Sequence, residues 1–337
     1  MTDDVRMVRA YIALSVAVFA LVFLIALWMG RYPLEFQDVI DYFTGSLSHS
    51  SNEYKVIHEL RLPRTIVAAL VGIGLGLSGL LYQETFQNKL VSPDFLGVTS
   101  GACVGAALAI LLGLSAIMIS LFAFVTGVIT VIFTLSLAKV FQNRSPTILL
   151  LSGIIIGGLM SAILSVIKYF ADPESTLASI TFWLMGSCEH VTMKDVAVLL
   201  PLIAGCSAIL LSIRWRINLV ALGREEAQTK GINYIVYRRL IIVMATLMTA
   251  SAVSVVGSVG WIGLVIPHMV RLLVGRNTAN TIPLTILFGG VFMIIVDILS
   301  RSFTNSEVPL AAISGLFGTV IFITIIYFRR RSILESD

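Results

Sequence analysis

The sequence predicts an all-α, polytopic membrane protein, and three observations carry the prediction. Of its 337 residues, 57% are hydrophobic and only 12% charged, whereas a soluble domain carries roughly twice that charge. The mean hydropathy is +0.96. Apolar runs of about 20 residues, enough to cross a hydrocarbon core about 30 Å thick, recur along the whole sequence and leave no stretch for a separate soluble domain. The expectation is a single transmembrane domain over 1–337.

Ten spans are expected, near 8–29, 62–83, 94–111, 115–138, 147–168, 194–213, 240–256, 259–272, 281–300 and 309–328. The first follows Arg6 and Arg9, is too long for a signal-peptide apolar region and shows no convincing cleavage site, so it is read as a retained span. Segment 30–61, with Glu35, Asp38, Asp41, Glu53 and Glu59, has room for a short surface helix. The second span opens on Arg61, Pro63 and Arg64, and proline in a first helical turn costs no hydrogen bond while fixing the angle of its neighbours. Gly72, Gly74, Gly76, Ser78 and Gly79 give that span a backbone other helices can approach, and Gly97, Gly101 and Gly105 repeat the device in the third. Segment 169–193 mixes aromatic and polar residues, as a short helix at a surface would.

Loop 214–239 contains "GREEAQTKG" (223–231), read as a short helix bounded by glycines. Glu225 and Glu226 stand in its first turn, Lys230 near its end, and Gly231 can take the left-handed position that closes it. Glu226 and Lys230 have favourable i,i+4 spacing. Such a helix is either a handle for a soluble partner or a solvated connector. Between Arg239 and Arg271 lie 31 residues interrupted by Gly257, Gly260, Gly263 and Pro267, more than one crossing and fewer than two comfortable ones. A shortened or broken helix is implied.

Orientation follows from Lys and Arg. With a cytoplasmic N-terminus and ten crossings, the inner side holds Arg6, Arg9, Lys89, Lys139, Arg144, Arg214, Arg216, Arg224, Lys230, Arg238, Arg239, Arg271, Arg276, Arg329, Arg330 and Arg331, which is 16 of 23 basic residues. Both termini are then cytoplasmic. Arg61, Arg64 and Arg301 face outward against the rule, which calls for a reason.

Several function classes are disfavoured. There is no G-x-x-x-x-G-K-[ST] loop, so any ATP use belongs to a partner. "GLSG" (76–79) matches an intramembrane serine protease motif with His268 as an imaginable base, but Ser78 reads better as a small packing residue. H-E-x-x-H is absent, and Cys103, Cys188 and Cys206 lack metal-ligand spacing, so no metal site and no catalytic residue is assigned. No contiguous basic face invites nucleic acid. Ion coupling needs ionisable residues at mid-membrane. Here Glu84 and Lys168 lie at span edges, and Asp297 sits one turn from Arg301, where a local ion pair is the simplest account.

"RLPRTIVAALVGIGLGLSGLLYQETFQNKLVSPDFLGVTSGACVGA" (61–106), "ALGREEAQTKGI" (221–232), "GSVGWIGLVIPHMVRLLVG" (257–275) and "DILSR…EVPLAAISGLFGTVIF" (297–322) together resemble the FecCD-type permeases. These are membrane subunits of type II ABC importers for iron-siderophore complexes, haem and cobalamin. The resemblance covers about residue 55 onward.

It implies a type II ABC importer permease fold of about ten helices in the bacterial inner membrane. A second permease subunit, identical or paralogous, two ATPase subunits and a periplasmic or lipid-anchored substrate-binding protein complete the assembly. No cofactor is expected on this chain; ATP and Mg belong to the ATPases. By the same resemblance, Arg61, Arg64 and Arg301 receive acidic residues of the binding protein from a hydrated outer rim. Leu222, Gly223, Arg224, Glu225, Glu226, Ala227, Lys230 and Gly231 form the ATPase coupling segment. Asn88 and Leu90 match a cytoplasmic gate, with Lys89 replacing the family's proline. Ferric siderophore is the favoured cargo, ahead of haem, cobalamin and molybdate.

Overall fold

The computed structural model describes residues 2–141, 146–302, 304 and 306–334. Arg144 and the side chains of Arg329, Arg330 and Arg331 lie outside the described residues.

Every regular element among the described residues is helical. Helix α1 (Thr2–Trp28) leads to the short α2 (Phe36–Thr44) and α3 (Asn52–Lys55). A π-helical turn (Val56–Arg61) then joins α3 directly to α4 (Leu62–Thr85). After a 3-10 turn (Pro93–Leu96) come α5 (Val98–Leu111), α6 (Ala116–Val140), α7 (Pro146–Phe170), α8 (Thr176–Met185) and α9 (Met193–Ser212). Two short helices, α10 (Arg214–Ala221) and α11 (Arg224–Thr229), precede α12 (Tyr234–Val256), α13 (Ile262–Val274), α14 (Thr278–Ser302) and α15 (Leu310–Leu334).

Among the described residues, eight helices are long and apolar enough to cross a membrane. The remaining two expected spans fall on α5 and α13, of 14 and 13 residues. At 1.5 Å per residue these reach only about 20 Å. The shortening predicted for 240–272 is therefore carried by α13 alone, because α12 starts at Tyr234 and runs its full 23 residues. In the third span, the left-handed Gly97 (φ 77°) and the 3-10 turn before it delay the helix to Val98.

Pro63 also differs from expectation. It does not open a helix, since helical backbone runs without a break from Asn52 to Thr85. A proline inside a helix lacks a donor and crowds the preceding turn. The wider π turn immediately before it absorbs that crowding.

Helix α4 is the axis of the bundle. In its most apolar window 89% of residues are buried, against 17%, 22% and 17% in α1, α6 and α7. Its glycines explain how so many neighbours reach it. A β-carbon at Gly72 would stand 2.1 Å from the Gly289 carbonyl oxygen of α14, and one at Gly79 would stand 2.0 Å from that of Gly263 in α13. Backbone therefore lies on backbone at both crossings. Ser78 is wholly buried between them and donates to Leu75 O at 3.1 Å, while His268 Nδ1 lies 2.7 Å from Leu264 O. Ser78 thus packs within its own helix, while the His268 ring also meets Phe322 of α15 edge-on, with centroids 5.4 Å apart.

At the Arg61 end of α4, the segment after α8 is stitched to its neighbours. Ser187 N donates to Val256 O at 2.9 Å, and Leu310 N donates to Gly186 O at 3.1 Å.

Candidate functional site at the two ends of helix α4

Charged side chains gather at both ends of α4. At the first end, Arg61 reaches back across the chain: its Nη1 donates to Leu27 O at 2.8 Å and to Trp28 O, and its Nη2 donates to Tyr32 O. The last carbonyls of a helix have no intrahelical donor and carry the negative end of its dipole, so a guanidinium is well matched to the end of α1. Arg301 Nη2 adds a bond to Ala26 O of the same helix end.

Arg64 binds two carboxylates. Its Nε donates to Asp297 Oδ1 at 2.7 Å, and its Nη1 and Nη2 grip both oxygens of Glu307, the second at 2.9 Å. This forked geometry is the stronger form of charge-assisted hydrogen bond. Asp297 Oδ2 also makes an ionic contact with Arg301 Nε at 3.3 Å. The local Asp297–Arg301 pair expected from spacing is thus present, but Asp297 is the shared anion of two arginines. Cys188 is fully buried in the same surroundings; burial, with Asp297 nearby, pushes its thiol well above the ordinary range and leaves it inert.

These contacts correct one expectation. Arg61, Arg64 and Arg301 are 4%, 8% and 6% exposed, so they do not stand hydrated at a rim. The carbonyls of α1 and the two carboxylates supply what water would have supplied. Glu307, which the sequence did not single out, is the member nearest solvent, its side chain 13% exposed.

At the other end, Gln83 and Glu84 occupy the last buried turn of α4. Glu84 Oε2 accepts from Lys89 Nζ at 2.7 Å and Oε1 from Arg271 Nη1 at 3.3 Å. Arg271 Nη2 also donates to Gln83 Oε1, and Gln83 Nε2 donates to Gly263 O at 3.1 Å. The end of α4 thereby holds α13 near both of its ends. Burial pulls the Lys89 ammonium below its ordinary value, against the pull of Glu84 and together with the nearby Arg271 and Arg276 charges. Lys89, the departure from the family pattern, ties the loop after α4 back onto the helix.

That loop carries the two gate candidates. Asn88 N donates to Gln83 O at 3.1 Å, and Asn88 Oδ1 accepts from Leu90 N at 2.9 Å, closing a tight turn. Both residues are exposed, Leu90 to 62%.

The coupling candidates lie beside it, on α11 and the residues that flank it. Gly223, between the two helices, has φ 111° and ψ 176°, a conformation in the range that favours glycine. Gly231 takes the expected left-handed position at φ 77°. Ala227 is wholly buried and anchors α11. Leu222, Arg224, Glu225, Glu226, Lys230 and Gly231 are exposed around it. Asn218 Oδ1 accepts from Thr278 N at 2.9 Å and binds α10 to the start of α14.

Comparison with known proteins identifies the family. The FecCD transport family model matches residues 18–328. The molybdate import system permease protein MolB of Haemophilus influenzae is 37% identical, over 91% of this chain and 92% of its own. The Fe(3+) dicitrate transport system permease protein FecC of Escherichia coli is 30% identical, over 82% and 83%. Among solved structures, one described as a metal-chelate type ABC transporter in an inward-facing conformation superposes with a TM-score of 0.84 at 36% identity, covering 94% of this chain and 98% of that one. The chain belongs to the FecCD transport family and is a transmembrane permease subunit of an ABC importer.

Proposed function

We propose that this permease and a second one, identical or paralogous, enclose the route of a ferric siderophore across the bacterial inner membrane, with both termini cytoplasmic. ATP and Mg are bound and used by two partner ATPase subunits, which seat on α10 and α11. The observation that carries this reading is the match to importer permeases over more than nine-tenths of the chain, joined to a glycine-bounded helix with an exposed acidic face. A soluble protein can grip that helix without disturbing the bundle, because only Ala227 is committed to the core.

The binding protein delivers cargo at the Arg61 end. Since the three arginines there are covered, a carboxylate from the binding protein reaches Arg64 by displacing Glu307, the least covered partner in the cluster. Arg61 and Arg301 hold the site in place through the end of α1.

A second cargo, molybdate, is favoured by the identity to MolB. Purification from the native membrane with trapped nucleotide tests the assembly: an ATPase and a binding protein should co-purify, and the ligand of the binding protein identifies the cargo. Uptake of iron-labelled siderophore without uptake of labelled molybdate is the expected result. A chain that purifies alone from a detergent shown to preserve such complexes would overturn the importer assembly.

A further inference from the structure

Between the coupling segment and the gate candidates stands one residue to which neither role has been given. Gln87 is the second residue after α4, and its φ of 51° is left-handed. Among the described residues only Gln87 and Trp261 take such a conformation without being glycine. A backbone of this kind costs energy and persists only where surrounding contacts hold it.

The contacts of Gln87 run in two directions. Its backbone N–H donates to Glu84 O at 3.4 Å, and the next residue, Asn88, is bonded to Gln83. Its side chain points the other way: Nε2 donates to Ala221 O at 3.3 Å. Ala221 is the last residue of α10, where carbonyls lack intrahelical donors. Gly223 leaves the room this needs, since a β-carbon there would lie 3.0 Å from Gln87 Nε2. The residues following Gln87 are Asn88, Lys89 and Leu90, of which Lys89 is bound to Glu84 and Leu90 to Asn88. A displacement of the α10–α11 junction therefore meets Gln87 before any other residue of that loop for which a contact with the junction is established.

We propose that Gln87 is the positioning residue that transmits movement of the coupling segment to the loop bearing Asn88 and Leu90. The inference rests on the coupling and gate readings above and adds the link between them. The left-handed backbone aims the amide at α10, and the hydrogen bond makes the loop follow the α10–α11 junction.

The test uses the full complex, permease with its ATPases in lipid nanodiscs, carrying Leu90→Cys. Native Cys103, Cys188 and Cys206 are buried, so a water-soluble maleimide reports on position 90. Its modification rate is measured without nucleotide and with ATP and vanadate. With Gln87 present the two rates should differ at least about fivefold, the bias one hydrogen bond can carry. In Gln87→Ala and in Gln87→Gly, which accommodates the left-handed backbone without strain while removing the side chain, the ratio should fall towards one while ATP hydrolysis persists. If both variants keep the full nucleotide dependence, the transmission role is overturned and the coupling and gate readings stand. If the Gln87 protein shows no nucleotide dependence, the gate reading falls and this inference with it.

Discussion

The two ends of α4 solve one problem, charge inside a bundle, in different ways. At the first, three guanidiniums face two carboxylates and the carbonyl end of α1, and every arginine is sealed. At the second, Glu84 is buried, but one of its two cations, Lys89, comes from a loop and keeps its side chain 39% exposed. The first cluster joins α1, α4, α14 and the segment before α15, elements whose separation would strand several charges at once. The second joins α4 to α13 and to a loop that can let go one contact at a time. Sealed charge fixes geometry, whereas half-solvated charge permits it to change.

The largest effect is expected at the sealed end. Asp297→Ala removes the anion shared by Arg64 and Arg301 and should lower stability by about 3–5 kcal/mol, the usual cost of stranding a buried charge. Reversible unfolding of the purified permease in mixed detergent reads this; a change below about 1 kcal/mol would mean the site is not sealed, and the contrast would collapse.

Glu84→Gln should cost less, about 1–3 kcal/mol, because Lys89 can turn to water and Arg271 retains Gln83. A loss equal to that of Asp297→Ala in the same assay would show the two ends to be built alike.

Charge reversal at Glu225 and Glu226, or Gly223→Pro, should weaken association with the ATPase about tenfold or more through like-charge contacts or a changed approach angle. Membrane insertion should be unaffected. Undiminished coupled transport by these variants would remove the coupling assignment from α11. Smallest is Ser78→Ala, in the second half of α4, where loss of one internal hydrogen bond should shift stability by no more than about 1 kcal/mol. Loss of a proteolytic activity in that variant would instead give Ser78 a chemical role.

Much of the fold was legible because membranes impose a simple rule: the apolar runs fell on helices, and Gly72 and Gly79 of α4 proved to be points of backbone contact. Gly223 and Gly231 were legible for a similar reason, since punctuation by glycine is local. The charged clusters were legible only in half. Positive charge in the wrong place drew attention to Arg61, Arg64 and Arg301, yet nothing near them indicated burial. Apart from Asp297 beside Arg301, their partners lie far off along the chain, Glu307 at a separation of 243 residues from Arg64 and Leu27 at 34 from Arg61. Pairing over such distances is a property of the assembled bundle. Gln87 was missed because a left-handed glutamine has no sequence signature.

The separation of Arg64 from Glu307 also sets an order of events during biosynthesis. Arg61 can meet the carbonyls of α1 as soon as both helices enter the membrane, but Arg64 has no carboxylate until residues 297 and 307 have been made. At a ribosomal rate of about 5–20 residues per second, that interval is roughly 10–50 seconds. During it the guanidinium of Arg64 must wait at the lipid–water boundary. A nascent chain truncated before Asp297 would keep that charge in water, so this cluster closes only after the helices between α4 and α14 have been made.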